Sequence, residues 1–436
     1  MRSLVLLGLI LLLAGTFPPQ LRHSISIPGA LEDASYIVVG GQNGTWFQQG
    51  QAPRLYKISL HNGTATSLVP VSGQGTVWSG GWNGSQMLVS GWGRDPGPSG
   101  SNPYLYLYNG QEQIVGGSLN QYSAESSWHG GDIFATSYNG KEWLLSGMGS
   151  GVLKSYSNNA SNHMGLALFD GYNFTDLSYL VPEQQDGILY ANAWNGKEWL
   201  VGGGFEMTGV LFAFNGTSMV DLTPQISRSI TNFGSVQSIA WNGEYWMIGG
   251  VGYVAKYDGQ NFVDLTQQLG KSMHQSLMSF DVTVNSIAWN GSAWMIGGGA
   301  PVAETFGGAA WLAMSDNATG FVDLSSSFPS YISNPGSSGS SILSICHSGD
   351  TWVIGGYSGG QAVLLLIDGV TNTDISSLVS STMSYVSWVN AGFVRRETIF
   401  VSYGPSSSEP IVLTSTLQNI SRFTANKFLK LTQITE

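Results

Sequence analysis

Ser238-Ile239-Ala240-Trp241-Asn242-Gly243-Glu244-Tyr245-Trp246-Met247-Ile248-Gly249-Gly250 returns almost unchanged as Ser286-Ile287-Ala288-Trp289-Asn290-Gly291-Ser292-Ala293-Trp294-Met295-Ile296-Gly297-Gly298. An apolar run, an Asn-Gly pair and a second apolar run ending in two glycines read as a β-hairpin, because Asn-Gly suits a type I′ turn with positive φ at both central residues. The phrase has weaker copies. They are Trp82-Asn83-Gly84, Tyr138-Asn139-Gly140, Trp194-Asn195-Gly196 and His347-Ser348-Gly349, at a mean spacing of 53 residues. A second phrase follows, clearest as Tyr257-Asp258-Gly259-Gln260-Asn261-Phe262-Val263-Asp264-Leu265. Its echoes end in Asp176-Leu177, Asp221-Leu222, Asp323-Leu324 and Asp374-Ile375.

Two tight hairpins per period make four short strands, the content of one propeller blade. The fold class expected is therefore all-β: a β-propeller of four-stranded antiparallel blades. Second strands are read at Tyr36–Gly41, Met87–Gly91, Trp143–Gly147, Trp199–Gly203, Trp246–Gly250, Trp294–Gly298, Trp352–Gly356 and Ile399–Gly404. That count favours eight blades, with seven as the alternative. In the eight-blade reading Ser24–Ile27 is the first inner strand and Ser384–Trp388 the last. A strand near Lys427–Leu431 is expected to close the ring, since open blades leave sheet edges exposed.

Hydrophobic positions before a Gly-Gly pair, followed by two spaced aromatics, resemble the kelch repeat. Trp246-Met247-Ile248-Gly249-Gly250, then Tyr257 and Phe262, carry the resemblance, which extends over about residues 36–404. The chain departs from that pattern: its second aromatic is Phe174 or Phe262 rather than Trp, and the Trp-Asn-Gly hairpin is an addition. The resemblance implies a propeller that binds proteins or other ligands. It does not imply an enzyme.

Each repeated residue has a structural reading. The glycine pairs relieve crowding against the neighbouring blade. Trp143, Trp199, Trp246, Trp294 and Trp352 fill the wedge between sheets. Ala193, Ala240 and Ala288 suit a crowded axis, and the outer Asp residues bond to nearby backbone or hydroxyl groups.

The Asn-Gly and Asp-Gly turns share one rim of such a disc, and the variable segments share the other. Those segments are 42–54, 92–104, 149–165, 266–283 and 300–310. Binding is usually built on variable loops over a repeating scaffold. Trp46, Phe47, Trp92, Tyr104 and Phe306 are the candidate ligand-binding residues there.

Composition narrows the function. Only 10% of the 436 residues are charged, and 16 Lys+Arg against 27 Asp+Glu leave a net charge of −11. Few cations make nucleic acid an improbable partner, and 42% hydrophobic residues argue against disorder. The lone Cys346 excludes a disulfide framework. The run Leu4–Phe17, after Met1-Arg2, reads as a signal peptide or N-terminal anchor within residues 1–23; residues 24–436 form a single propeller domain. Membrane contact is expected only through such an anchor.

Catalytic residues are not identified. The six histidines show no metal-ligand spacing, and neither a metal nor a cofactor is expected. Loop acids such as Asp95, Glu125, Glu183, Asp186, Glu206 and Glu304 could pair for glycoside chemistry, though sequence brings no two together. Nine Asn-x-Ser/Thr sequons, at Asn43, Asn62, Asn83, Asn159, Asn173, Asn215, Asn290, Asn317 and Asn419, are candidate glycosylation sites. The reading is an extracytoplasmic binding or scaffolding module whose partner is a surface protein or a glycan. Its alternatives are a lectin or glycan-active enzyme, and a subunit of a surface filament or layer. Low charge further suggests an acidic habitat, where few cations limit self-repulsion once carboxylates are protonated.

Overall fold

A computed structural model describes residues 36–43, 52–59, 63–68, 74–83, 86–94, 101–108, 113–118, 131–149, 163–182, 187–205, 208–272, 283–299, 309–316, 318, 320–333, 339–348, 351–368, 372–380, 383–390, 396–401 and 411–416. The segment expected as a signal, the proposed first strand Ser24–Ile27 and the proposed closing strand Lys427–Leu431 lie outside them.

The strands fall into four-stranded antiparallel sheets. The first contains β1 (Tyr36–Asn43), β2 (Ala52–Ser59) and β3 (Thr64–Ser67). The second is β4 (Gln74–Trp82), β5 (Met87–Arg94), β6 (Ser101–Tyr108) and β7 (Gln113–Ser118). The third is β8 (Asp132–Tyr138), β9 (Trp143–Gly149), β10 (His163–Phe169) and β11 (Phe174–Asp176). The fourth is β12 (Ile188–Trp194), β13 (Trp199–Phe205), β14 (Thr208–Phe214) and β15 (Met219–Asp221). The fifth is β16 (Val236–Trp241), β17 (Trp246–Gly250), β18 (Tyr253–Tyr257) and β19 (Phe262–Asp264). The sixth is β20 (Thr283–Trp289), β21 (Trp294–Gly299), β22 (Trp311–Ser315) and β23 (Val322–Asp323). The seventh is β24 (Ser340–Ser348), β25 (Thr351–Ser358), β26 (Gln361–Ile367) and β27 (Asn372–Asp374). One pairing, Gly299 with Ser341, links the sixth to the seventh.

β28 (Tyr385–Asn390) pairs with β1 through Val38–Asn390 to Gln42–Tyr385 and supplies the inner strand of the first sheet. Ser384–Trp388 therefore does not begin an eighth blade. The other half of that expected blade, Ile399–Gly404, overlaps β29 (Arg396–Val401), which pairs only with β30 (Ile411–Thr416) among the described residues. Each inner strand packs beside the next, and β28 lies against both β24 and β4, so the order closes on itself. The fold is a β-propeller, and the described residues hold seven four-stranded sheets.

The apolar core is divided in the same way. One cluster joins Leu200 and Leu211 of the fourth sheet to Trp246 and Ile248 of the fifth. Another joins Met247 and Val254 of the fifth to Trp294 and Ile296 of the sixth. Another joins the ends of the chain, where Leu364 and Val353 meet Ile58 and Val386, and one more sets Leu55 of the first sheet against Val77 and Met87 of the second. Trp143, Trp199, Trp246, Trp294 and Trp352 are all buried, as wedge-filling predicts.

The glycine pairs do two separate jobs. A Cβ on Gly249 would sit 2.3 Å from Val284 Cγ1 of the next sheet, and one on Gly202 would sit 2.5 Å from Val236 Cγ1. A Cβ on Gly250 would sit 2.2 Å from the carbonyl oxygen of Ser235 on its own inner strand. That carbonyl comes so close because the inner strand is bulged there, between Val236 and Ser238.

The turns differ from the two-residue type expected. Trp241 pairs with Trp246 and Trp289 with Trp294, which leaves four residues in each loop. Asn242 Oδ1 accepts the N–H groups of Glu244 and Tyr245 at 2.9 and 2.8 Å, and Gly243 takes the positive φ of 99°. The side chain makes the turn, so the asparagine needs no left-handed backbone. Asp258 does the same for Gln260 and Asn261, which holds its carboxyl below the ordinary range. The outer aspartates also bond locally: Asp264 accepts the Thr266 N–H at 2.8 Å, and the Thr266 hydroxyl accepts the Val254 N–H at 3.2 Å.

Candidate functional site

The two rims are unequal. Turns 139–142, 195–198, 242–245 and 290–293, together with 170–173, 215–218 and 258–261, are four-residue loops built on Asn or Asp followed by Gly. The opposite rim carries second-to-third connections of very different length. Residues 44–51, 150–162 and 300–310 contrast with the two-residue links 206–207, 251–252 and 359–360. This rim also carries the short helices α1 (Thr223–Ser229) and α2 (Thr266–Ser272), which follow the outer strands and contribute Ile226 and Leu269 to the inter-sheet core.

Of the five candidate ligand-binding residues, Trp46, Phe47 and Phe306 lie outside the described residues. The other two were expected in a loop but belong to strands. Trp92 pairs with Pro103 and Thr76, and Tyr104 with Gly91 and Ser118, because β5 and β6 run on to Arg94 and from Ser101. Trp92 is half-buried there. None of the six loop acids falls among the described residues.

Among the sequons, Asn173 and Asn215 are exposed in turns. The hydroxyls of Thr217 and Ser292 each bond the amide oxygen of their own sequon asparagine, Asn215 and Asn290, at 3.0 and 2.9 Å. Asn83 Oδ1 accepts the Gln86 N–H at 2.7 Å, while Asn43 is the last residue of β1. Asn62, Asn159, Asn317 and Asn419 lie outside the described residues. His347 takes the place of Trp241 and Trp289 beside the buried tryptophan, with its ring 5.6 Å from that of Trp352. No cluster of His, Cys, Asp and Glu suited to a metal occurs among the described residues.

The axial side of the inner strands holds a feature that sequence reasoning missed. Every inner strand is bulged, leaving residues with no opposite partner: Trp78, Phe134, Leu189 with Tyr190, Gln237, Asn285, Leu343 and Ser387. Three consecutive strands place aromatics there. Trp78 stacks on Phe134 at 5.3 Å, and Phe134 meets Tyr190 edge-on at 5.2 Å. Asp132 starts β8, two residues before Phe134. Burial raises its carboxyl from the ordinary 3.8 to about 7. Burial, and then the charge of Asp132, push the Tyr190 phenol to about 12. Neither makes a hydrogen bond to a described residue. By contrast Asn285 is satisfied within the protein, donating to Ser341 Oγ at 2.8 Å and the Ile342 carbonyl at 2.9 Å. The signal in the sequence was the residue before Ser79, Ala135 and Ala191, which is aromatic only in these three repeats.

No family model matches the chain, and no curated protein matches it. Solved structures do. A Bacteroides uniformis protein provisionally named a 6-phosphogluconolactonase is 10% identical, with 82% of this chain and 99% of that chain covered at a TM-score of 0.45. YCF48 bound to D1 peptide is 12% identical, with coverage of 78% and 94% and a TM-score of 0.45. The extracellular domain of a Bacteroides thetaiotaomicron protein, provisionally assigned as a hybrid two-component system, is 14% identical; 76% of this chain and 37% of that chain are covered, at 0.46. At such scores these likenesses assign neither family nor activity, and the fold rests on the sheet topology described above.

Proposed function

We propose that the chain is an exported, seven-bladed, kelch-like propeller that acts as a binding or scaffolding module outside the cytoplasm. Its partner, a surface protein or a glycan, sits on the rim of variable connections. One observation carries the reading: seven turns on one rim share a four-residue design built on Asn-Gly or Asp-Gly, while connections on the other range from two residues to more than ten. A scaffold that repeats its turns on one rim and varies its connections on the other is suited to present the varied rim. The apolar run Leu4–Phe17 supports export.

Crosslinking on intact cells of the source organism, read by mass spectrometry, tests the proposal. Crosslinks to a partner should map to 44–51, 150–162, 273–282 and 300–308. A partner held through the four-residue turns, or a chain confined to the cytosol, overturns it. Glycans, where the host adds them, belong on the opposite rim, at Asn173 and Asn215; unmodified glycopeptides at both would remove that part of the reading.

A further inference from the structure

We propose that the Asn-Gly turns of the uniform rim are modification sites gated by the fold: a closed turn holds its asparagine unreactive, an opened turn deamidates, and the isoaspartate formed keeps the turn from closing again.

The chemistry needs only the chain and water. At Asn242-Gly243 the glycine nitrogen gives its proton to solvent base and bonds to the asparagine Cγ. The Cγ–Nδ2 bond breaks and ammonia leaves, which closes a succinimide ring. Water then splits one of the two carbonyl–nitrogen bonds of that ring. Breaking the bond at Cγ yields aspartate. Breaking the main-chain bond yields isoaspartate, whose chain runs on through Cβ and Cγ.

Two features of the turns bear on that reaction in opposite directions. Glycine brings no side chain to shield its nitrogen, and a Cβ on Gly140, Gly196, Gly243 or Gly291 would meet nothing within 4 Å. The nucleophile is therefore open. The electrophile is not. Asn139 Oδ1 accepts the N–H groups of Lys141 and Glu142 at 2.9 and 2.8 Å, and Asn195 Oδ1 accepts those of Lys197 and Glu198, both at 2.8 Å. Asn215 holds Thr217 and Ser218 at 3.0 and 2.9 Å, and Asn290 holds Ser292 and Ala293 at 2.9 and 2.8 Å, as Asn242 holds its own pair. In all five turns the asparagine N–H also donates to the carbonyl three residues on, at 3.1 to 3.3 Å. Ring closure carries Cγ onto the glycine nitrogen and draws Oδ1 off both N–H groups, so the turn must open first.

Asp170 and Asp258 are the same turn with one product already in place. Each accepts its two turn N–H groups at 2.8 and 2.6 Å. Aspartate therefore fits. Isoaspartate does not, because it lengthens the main chain of the loop by one carbon and leaves the carboxylate directly on Cα, too short to gather the two N–H groups.

Asn139, Asn195 and Asn242 lie in no sequon, so the test is independent of any glycan. The full chain is incubated at pH 9, folded and in urea concentrated enough to unfold it, and its peptides are mapped by mass spectrometry with isoaspartate resolved from aspartate. The three sites should deamidate at least about tenfold more slowly in the folded chain, as expected when two ordinary hydrogen bonds must break first. Chains carrying isoaspartate at residue 242 should refold to a form that unfolds at lower urea than the parent, while Asn242→Asp should unfold where the parent does. Equal rates in the folded and unfolded chain overturn the proposal. So does a faster reaction in the folded chain, in which the two N–H groups would be stabilising the oxyanion instead. An Asn242→Asp protein as weakened as the isoaspartate form overturns it too. None of these outcomes touches the reading of the variable rim, since no residue is shared.

Discussion

Val284 Cγ1 occupies the space that a side chain on Gly249 would need. Valine and Ile287 cannot retreat, because both are buried in the cluster that joins the fifth sheet to the sixth. Gly249→Ala should therefore cost about 1–3 kcal/mol, read from chemical unfolding, as overpacking does elsewhere. Gly243, with a positive φ but open space around it, should lose less to alanine than a buried glycine does. Asp132 makes a prediction of opposite kind. Its folded carboxyl titrates near 7 against 3.8 when unfolded, so its ionisation opposes folding. Stability from this group is complete below about pH 4, declines as pH rises, and levels off above about pH 7. Asp132→Asn should raise the melting temperature at pH 8 and leave it unchanged at pH 3; an equal effect at both would refute the assignment. Asp170 and Asp258 run the other way, their carboxyls lowered by turn N–H bonds, with a small contribution lost towards acid. The repeated Trp, Gly and Asp roles were legible in the sequence because each recurs at fixed spacing. Trp78, Phe134, Tyr190 and Asp132 were not, because a bulge adds a residue and hides their register.

Inner strands are joined to one another as well as packed. Ser238 Oγ accepts the Ile287 N–H at 2.9 Å, Ser286 Oγ accepts that of Ile345 at 2.9 Å, and Ser344 Oγ that of Val389 at 3.1 Å. Ser79 does the same for Thr136 at 3.0 Å. Sheets three and four have Ala135 and Ala191 at this position, and there Asn192 takes over, donating to the Ala135 carbonyl at 3.1 Å and to Ser146 Oγ at 2.7 Å. Ser238→Ala would leave the Ile287 N–H buried without an acceptor and should cost about 1–3 kcal/mol. Asn192→Ala should cost at least as much, since it strips two acceptors at once; equal stability of variant and parent in urea would count against the linkage. The hairpins themselves were legible from Asn-Gly, but their length was not. A short side chain that accepts two backbone N–H groups makes a four-residue turn as readily as positive φ makes a two-residue one.

Closure through β28 is the property of the whole molecule that repeat counting obscured. Counting second strands gave eight where the described residues hold seven sheets, because Ser384–Trp388 looks like the start of a repeat and its partner β1 stands far back in the chain. Truncation after Val379 removes β28, uncovers Ile58 and Val353, and should abolish cooperative unfolding. Truncation after Asn390 keeps every strand of the seven sheets and should unfold cooperatively, by circular dichroism. The same closure imposes a schedule. Val39 leaves the ribosome about 350 residues before Val389, the residue it pairs with. At about 5–20 residues per second the first sheet waits tens of seconds with a bare backbone edge. During that interval the six other sheets can assemble in order, each covering its predecessor, while β1 offers any passing strand an open ladder. The propeller is thus most exposed to mispairing at its first sheet and is sealed only when β28 is made, so a helper that shields β1 during synthesis should raise the yield of folded chain more than one acting on any later sheet.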